Sequence, residues 1–149
     1  MSELRQKAVA LLARREHTRA ELSRKLAPHG TDEEIDAVIN QLQTSGLQSD
    51  ARFAEAFLRA KAARFGPARL RQTLRQKGVD AEMASEQIAA AGLPDELDQA
   101  RTVWSRKFGT VPADAKEWAR QARFLQSRGF SSDAIRRLLK DGGDMEGDA

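Results

Sequence analysis

The chain has 149 residues and a net charge of +3, with 32% charged residues and only two tryptophans and six phenylalanines. That composition argues against a β-sandwich or barrel, and the absence of cysteine excludes disulfides and thiol chemistry. The longest apolar run, Ala8–Ala13, falls far short of the ~20 residues of a membrane helix, and the opening Met-Ser-Glu-Leu-Arg carries no secretory pattern.

Apolar spacing predicts helices throughout, near 2–16, 18–27, 32–45, 50–64, 67–77, 80–91, 95–108, 113–128 and 132–140. Leu4, Ala8, Leu11 and Leu12 form the first stripe. Thr18-Arg19-Ala20-Glu21 and Thr31-Asp32-Glu33-Glu34 fit the capping box and start the second and third helices. The third carries Ile35, Val38, Ile39 and Leu42. Ser49 or Asp50 caps the fourth, where Phe53 and Phe57 lie a turn apart and Phe53 is expected in the core. Pro67 suits the first turn of the fifth, with Leu70 and Leu74 behind it. Leu97, Ala100, Trp104 and Phe108 make one later stripe, Trp118, Ala122 and Leu125 the next, and Ile135, Leu138 and Leu139 the last. Both tryptophans are therefore expected in the core. Gly46-Leu47, Gly78-Val79, Gly92-Leu93 and Gly129-Phe130 have the order of a Schellman end. Residues 141–149 are acidic and Gly-rich and read as a disordered tail.

An internal repeat underlies this order. Leu22-x3-Leu26-x3-Gly30 matches Leu70-x3-Leu74-x3-Gly78, and Leu125-x3-Gly129 is a partial third copy. Arg64-Phe65-Gly66 recurs as Lys107-Phe108-Gly109. Charge alternates in step: residues 31–50 carry five acids and no base, 51–77 eight bases and one acid, 78–100 six acids and no base. Three units of three helices follow, near 1–46, 47–92 and 93–140. A period of this size predicts an all-α array of stacked three-helix repeats, elongated and curved, with a long binding surface.

The sequence offers little for catalysis. His17 and His29 have no ligand set at metal spacing, there is no phosphate loop or nucleophile elbow, and Asp32-Glu33-Glu34-x-Asp36 opens a helix, where acids favour the dipole. No cofactor, metal or enzymatic activity is expected. The basic blocks are more informative. Arg64, Arg69, Arg71, Arg75 and Lys77 lie in the second unit, and Arg101, Arg106, Lys107, Arg120, Arg123 and Arg128 in the third. If equivalent helices align, they form a cationic stripe for phosphates or an acidic protein groove.

Gly46-Leu47 followed by Asp50-Ala-Arg52-Phe53-Ala54-Glu55-Ala-Phe57 resembles the signature of the RecX regulatory family. Thr18-x-x-Glu21-Leu22-x-x-Lys25-Leu26 upstream and Gly66-Pro67-x-x-Leu70 downstream fit it in order. Polar Gln48-Ser49 replaces the family's usual hydrophobic residue in the central motif. The resemblance implies tandem three-helix repeats and a non-catalytic regulator in bacterial cytoplasm. Such a regulator binds the RecA recombinase and its filament on single-stranded DNA, lodges in the filament groove, and limits recombinase, ATPase and co-protease activity. A monomer with no membrane partner and weak direct DNA contacts is expected. Within the signature, Asp50 is read as a helix start and Arg52 as the partner of an acid of the preceding unit, such as one in Asp32–Asp36, so the motif records folding more than binding. The alternative is a stand-alone DNA-binding protein using a helix-turn-helix-like pair over 67–91. Its second helix holds Asp80, Glu82 and Glu86 and no base, which disfavours a major-groove role.

Overall fold

Every helix start except the one at Pro67, which Gly66 precedes, is set by a short polar side chain. Thr18 accepts from the Glu21 N–H at 3.0 Å while the Glu21 carboxylate accepts from the Thr18 N–H at 3.0 Å, and Thr31 and Glu34 make the same reciprocal pair. Ser2, Asp95 and Asp114 cap their helices in the same way from one side. At the fourth helix the Ser49 hydroxyl accepts from the Arg52 N–H at 3.1 Å, so Ser49 is the cap and Asp50 the first helical residue. In this computed structural model, which describes residues 2–141, the result is all-α. The helices are α1 (Glu3–Arg14), α2 (Arg19–Leu26), α3 (Asp32–Thr44), α4 (Asp50–Lys61), α5 (Pro67–Gln76), α6 (Ala81–Ala90), α7 (Glu96–Lys107), α8 (Ala115–Ser127) and α9 (Ser132–Asp141). A single 3-10 turn, Ala27–His29, which the periodicity does not predict, follows α2. Residues 142–149 of the expected tail lie outside the described residues.

The ends use glycine as expected. Gly46, Gly78, Gly92 and Gly129 all have positive φ. At three of them the following residue bonds back over the turn: Leu47 N–H to the Leu42 carbonyl, Val79 to Leu74, and Phe130 to Leu125, at 2.9–3.2 Å. Val79 and Phe130 are buried and seal their turns, whereas Leu47 is 45% exposed.

The chain divides into two compact units, Met1–Phe57 with Thr73–Gln87 and Leu58–Gln72 with Ile88–Ala149. In the first unit α1, α2 and α3 pack around Leu4, Ala8, Leu22, Leu26, Ile35, Val38, Ile39 and Leu42, with Leu11 and Leu12 at the margin. Phe53 is buried and stacks on Phe57 at 6.4 Å. In the second unit α7, α8 and α9 close over Ala100, Val103, Trp104, Leu125, Phe130, Ile135, Leu138 and Leu139. Trp104 is in this core as expected, its Nε1–H donating to the buried Gln121 side chain at 2.7 Å. Trp118 is not: it is 38% exposed. It shares a helical face with Leu125 but sits near the N-terminus of α8, a turn before Gln121, where the buried row begins.

Each unit contains a close backbone junction, and the two are equivalent in the sequence repeat. In the first unit the Thr18 hydroxyl donates to the Lys77 carbonyl at 2.6 Å, and Gly78 lies against Ala20 with no room for a Cβ. In the second unit the Gly66 N–H donates to the Arg128 carbonyl at 2.6 Å, the Ala68 N–H to the Gly129 carbonyl at 3.3 Å, and Gly129 lies against Arg69. A methyl on Gly66 would sit 2.6 Å from the Gly129 oxygen. Glycine is needed at Gly78 twice over, for its positive φ and for this approach. Gly78→Ala is therefore expected to cost about 2–4 kcal/mol in urea unfolding. Gly46→Ala, with φ of the same sign but open space around it, is expected to cost only about 1 kcal/mol.

Candidate functional site

The junction of the second unit brings the end of α4 to the ends of α7 and α8. There Ala63, Arg64, Val103, Arg106, Lys107, Phe124 and Arg128 line an open cleft of about 280 Å³. Arg64 stands in the turn after α4, Arg106 and Lys107 in the last turn of α7, and Arg128 caps the C-terminus of α8. Cations at helix C-termini are favoured by the dipole. Among the described residues, no carboxylate lies in ion-pair range of these four.

Two of them, Lys107 and Arg128, rest instead on phenylalanine rings. The Arg128 guanidinium lies 4.9 Å from the Phe124 ring and 5.4 Å from the Phe65 ring, and the Lys107 ammonium 5.4 Å from Phe124. Arg69 covers the Phe65 ring at 4.3 Å and donates from Nη1 to the Ser127 carbonyl at 2.7 Å. Phe108 meets Phe124 edge-on at 5.4 Å and is itself covered by Arg120 at 5.0 Å. Such cation–π contacts each contribute ~0.5–2 kcal/mol and fix the guanidinium planes, leaving their N–H edges for an anion.

The other expected cations differ. Arg101 is half-buried and paired with Asp98 at 2.8 Å. Arg120 forks onto Glu117 through Nε and Nη2 at 2.9 and 2.8 Å. That fork, with help from Gln121, holds the Glu117 carboxyl down at a pKa of about 2, so the pair stays charged and self-neutralised at neutral pH. Arg71, Arg75 and Arg123 are exposed and outside the cleft lining, and Lys77 is half-buried after α5. Sequence reasoning named the cleft cations but not the rings that brace this corner, Phe65 and Phe124 against Arg128 and Phe108 edge-on to Phe124. The recurring Arg-Phe-Gly and Lys-Phe-Gly triplets were the available signal for two of the three.

The signature residues serve the fold of the first unit. The Asp50 carboxylate accepts from the Arg19 N–H at the start of α2 at 2.8 Å and from the Gln48 amide at 2.9 Å. Gln48, buried, also donates to the His17 carbonyl at 3.1 Å, which is how a polar residue is accommodated at a usually apolar position. Arg52 does pair with an acid of the preceding three-helix unit, but not with one in Asp32–Asp36. It pairs with Glu16 at 2.7 Å and donates to the Leu47 carbonyl. The guanidinium near Asp36 is that of Arg19, at 3.5 Å. Beside them burial lowers the pKa of His17. Burial pushes the Glu21 carboxyl up, but the Thr18 N–H and Arg15 more than offset this, and its pKa falls below the usual range. Among the described residues no group of three or more acids and histidines is placed to hold a metal, and no helix is long and apolar enough to cross a membrane.

Three-helix units with a cationic groove define a helical-repeat protein. Comparison with known proteins makes this specific. The models of the first, second and third three-helix domains of RecX match residues 5–42, 49–86 and 94–139. The chain belongs to the RecX family. It is 50% identical to "Regulatory protein RecX" of Leptothrix cholodnii over 92% of this chain and 87% of that one, and 46% identical to that of Chromobacterium violaceum over 95% and 91%. Its fold is similar to the crystal structure of RecX from Lactobacillus salivarius, with a TM-score of 0.78, 22% identity, and coverage of 93% and 94% of the two chains.

If the signature serves folding, Asp50→Ala is expected to cost about 2–3 kcal/mol, because the Arg19 N–H loses a charged acceptor. Asp50→Asn, which keeps an oxygen in place, is expected to cost less, and urea denaturation of the two variants measures the difference.

Proposed function

We propose that this protein is a non-catalytic regulator that binds RecA and its filament on single-stranded DNA in the cytoplasm and restrains recombinase, ATPase and co-protease activity. The observation that carries the reading is kinship over more than nine-tenths of this chain with proteins named as RecX regulators, through the first, second and third three-helix domains of that family. The cleft supports it chemically. A filament presents acidic protein surface and phosphates, and four cations without carboxylate partners, two of them (Lys107 and Arg128) braced on aromatic rings, suit either.

Of the eleven cations expected to make contact, the reading favours Arg64, Arg106, Lys107 and Arg128 at the cleft, with Arg69, Arg71, Arg75, Lys77 and Arg123 as further contacts. Arg101 and Arg120 contribute less, because each already has an acid. The stand-alone DNA-binding alternative is weaker: α6 carries Glu82 and Glu86 and no base.

The test is DNA-dependent ATP hydrolysis by RecA with increasing amounts of the purified protein. Inhibition is expected at or below equimolar ratios, and none over a wide range contradicts the reading. Arg64→Glu/Arg106→Glu is expected to weaken inhibition roughly tenfold or more with helicity intact. Arg120→Gln is expected to change it less than about twofold, since a paired exposed arginine gives up little.

A further inference from the structure

The first unit holds a second cationic cleft. Lys7, Ala10, Leu11 and Arg14 of α1 face Lys25 and Leu26 of α2 and His29 of the 3-10 turn across about 270 Å³. None of these residues belongs to the basic blocks of the sequence reading, yet the cleft occupies the same place in its three-helix unit as the one in the third repeat. Aligning Leu26-x3-Gly30 with Leu125-x3-Gly129 places Lys25 on Phe124 and His29 on Arg128. Arg14 ends α1 as Arg106 and Lys107 end α7. In both repeats the groove between the first and second helices is thus lined by cations.

The lining chemistry narrows the ligand. Lys7, Arg14, Lys25 and His29 are exposed, and among the described residues no carboxylate is in ion-pair range of the three cations. Lys25 Nζ is steadied instead by the buried His17 Nε2 at 3.4 Å. Lys7 and Arg14 are two turns apart on one helix face, about 10 Å along the axis, so the positive charge is extended and suits a chain of anions better than a single ion. Every other lining residue is aliphatic, and in the third-repeat cleft the non-cationic residues are the aliphatic Ala63 and Val103 and the aromatic Phe124. Neither cleft is lined by an amide or hydroxyl side chain to read a base edge.

We infer that the α1–α2 cleft is a phosphodiester site. It binds the backbone of single-stranded nucleic acid without base preference through Lys7, Arg14 and Lys25, and it is the first-repeat counterpart of the Arg64–Arg106–Lys107–Arg128 cleft. This assignment rests on the proposed reading only in taking a nucleic-acid filament as the setting. Its first test, DNA affinity, needs no RecA, and RecA inhibition separates the site from its setting.

The experiment is fluorescence anisotropy of a labelled oligothymidylate with the full chain, titrated with NaCl. Each phosphate contact on a single strand contributes about 0.7 to the slope of log affinity against log salt, so Lys7→Gln/Arg14→Gln/Lys25→Gln is expected to lower the slope by about 2 and weaken binding at low salt by about tenfold or more. Lys7→Arg/Lys25→Arg is expected to retain binding. Arg24→Gln/Lys116→Gln/Lys140→Gln removes equal charge from exposed positions outside both clefts and is expected to leave the slope within about 0.7 of the parent. An unchanged slope in the cleft variant overturns the assignment. So does equal competition by polyglutamate at matched charge, which would make the cleft a peptide site. Loss of RecA inhibition with DNA affinity intact overturns it too while sparing the regulatory reading, whereas the expected DNA result with no effect on RecA sustains the site and removes the filament setting.

Discussion

The second unit depends on one close approach of backbone. Gly66 has no side chain, so its N–H reaches the Arg128 carbonyl at 2.6 Å and its Cα sits against Gly129. That contact carries Phe65 to the Arg128 guanidinium and Arg64 to the rim of a cleft otherwise built by α7 and α8. Any larger residue would separate the two segments, so that Arg128 would lose the Phe65 ring and Arg64 would leave the cleft. The first unit repeats the device with a different donor, since a threonine hydroxyl reaches Lys77. One geometric requirement, met twice, explains why the glycine spacing is visible as a repeat.

The physics of the cleft is one of preorganisation. An exposed arginine gives up side-chain entropy on binding, of order 1–2 kcal/mol. Arg69 and Arg128 have already given up part of theirs to Phe65 and Phe124. Arg120 has also been fixed, but onto Glu117, which cancels its charge as it orients it. Among the cations that look alike in sequence, a carboxylate withdraws Arg101 and Arg120, while an aromatic ring braces Arg69, Lys107 and Arg128 with no acid on them among the described residues.

The fold was largely legible because its signals are local. Capping boxes at Thr18 and Thr31, Schellman glycines, and stripes such as Ile35–Leu42 each depend on residues within a turn or two, and they locate the helices. Misreadings arose where the answer depends on distant chain. Arg52 meets Glu16 because Asp50 docks onto the start of α2, and sequence spacing carries no information about that docking. Trp118 obeys the helical period yet is exposed, because periodicity gives a residue's face and not how far along the helix the buried row extends. The cleft was half legible: its cations announce themselves as a block, while the phenylalanines that separate available from neutralised arginines read as ordinary core. The cleft of the first repeat was missed because Lys7, Arg14 and Lys25 are spread over two helices and never form a run.

The claim most in need of a direct test is that the cationic clefts face the filament. Electron cryo-microscopy of RecA on single-stranded DNA, decorated with this protein and resolved to side chains, tests it. The account predicts Arg64, Arg106, Lys107 and Arg128 in contact with filament phosphates or acidic groups. Clefts turned to solvent, with the filament held by another face, would contradict it.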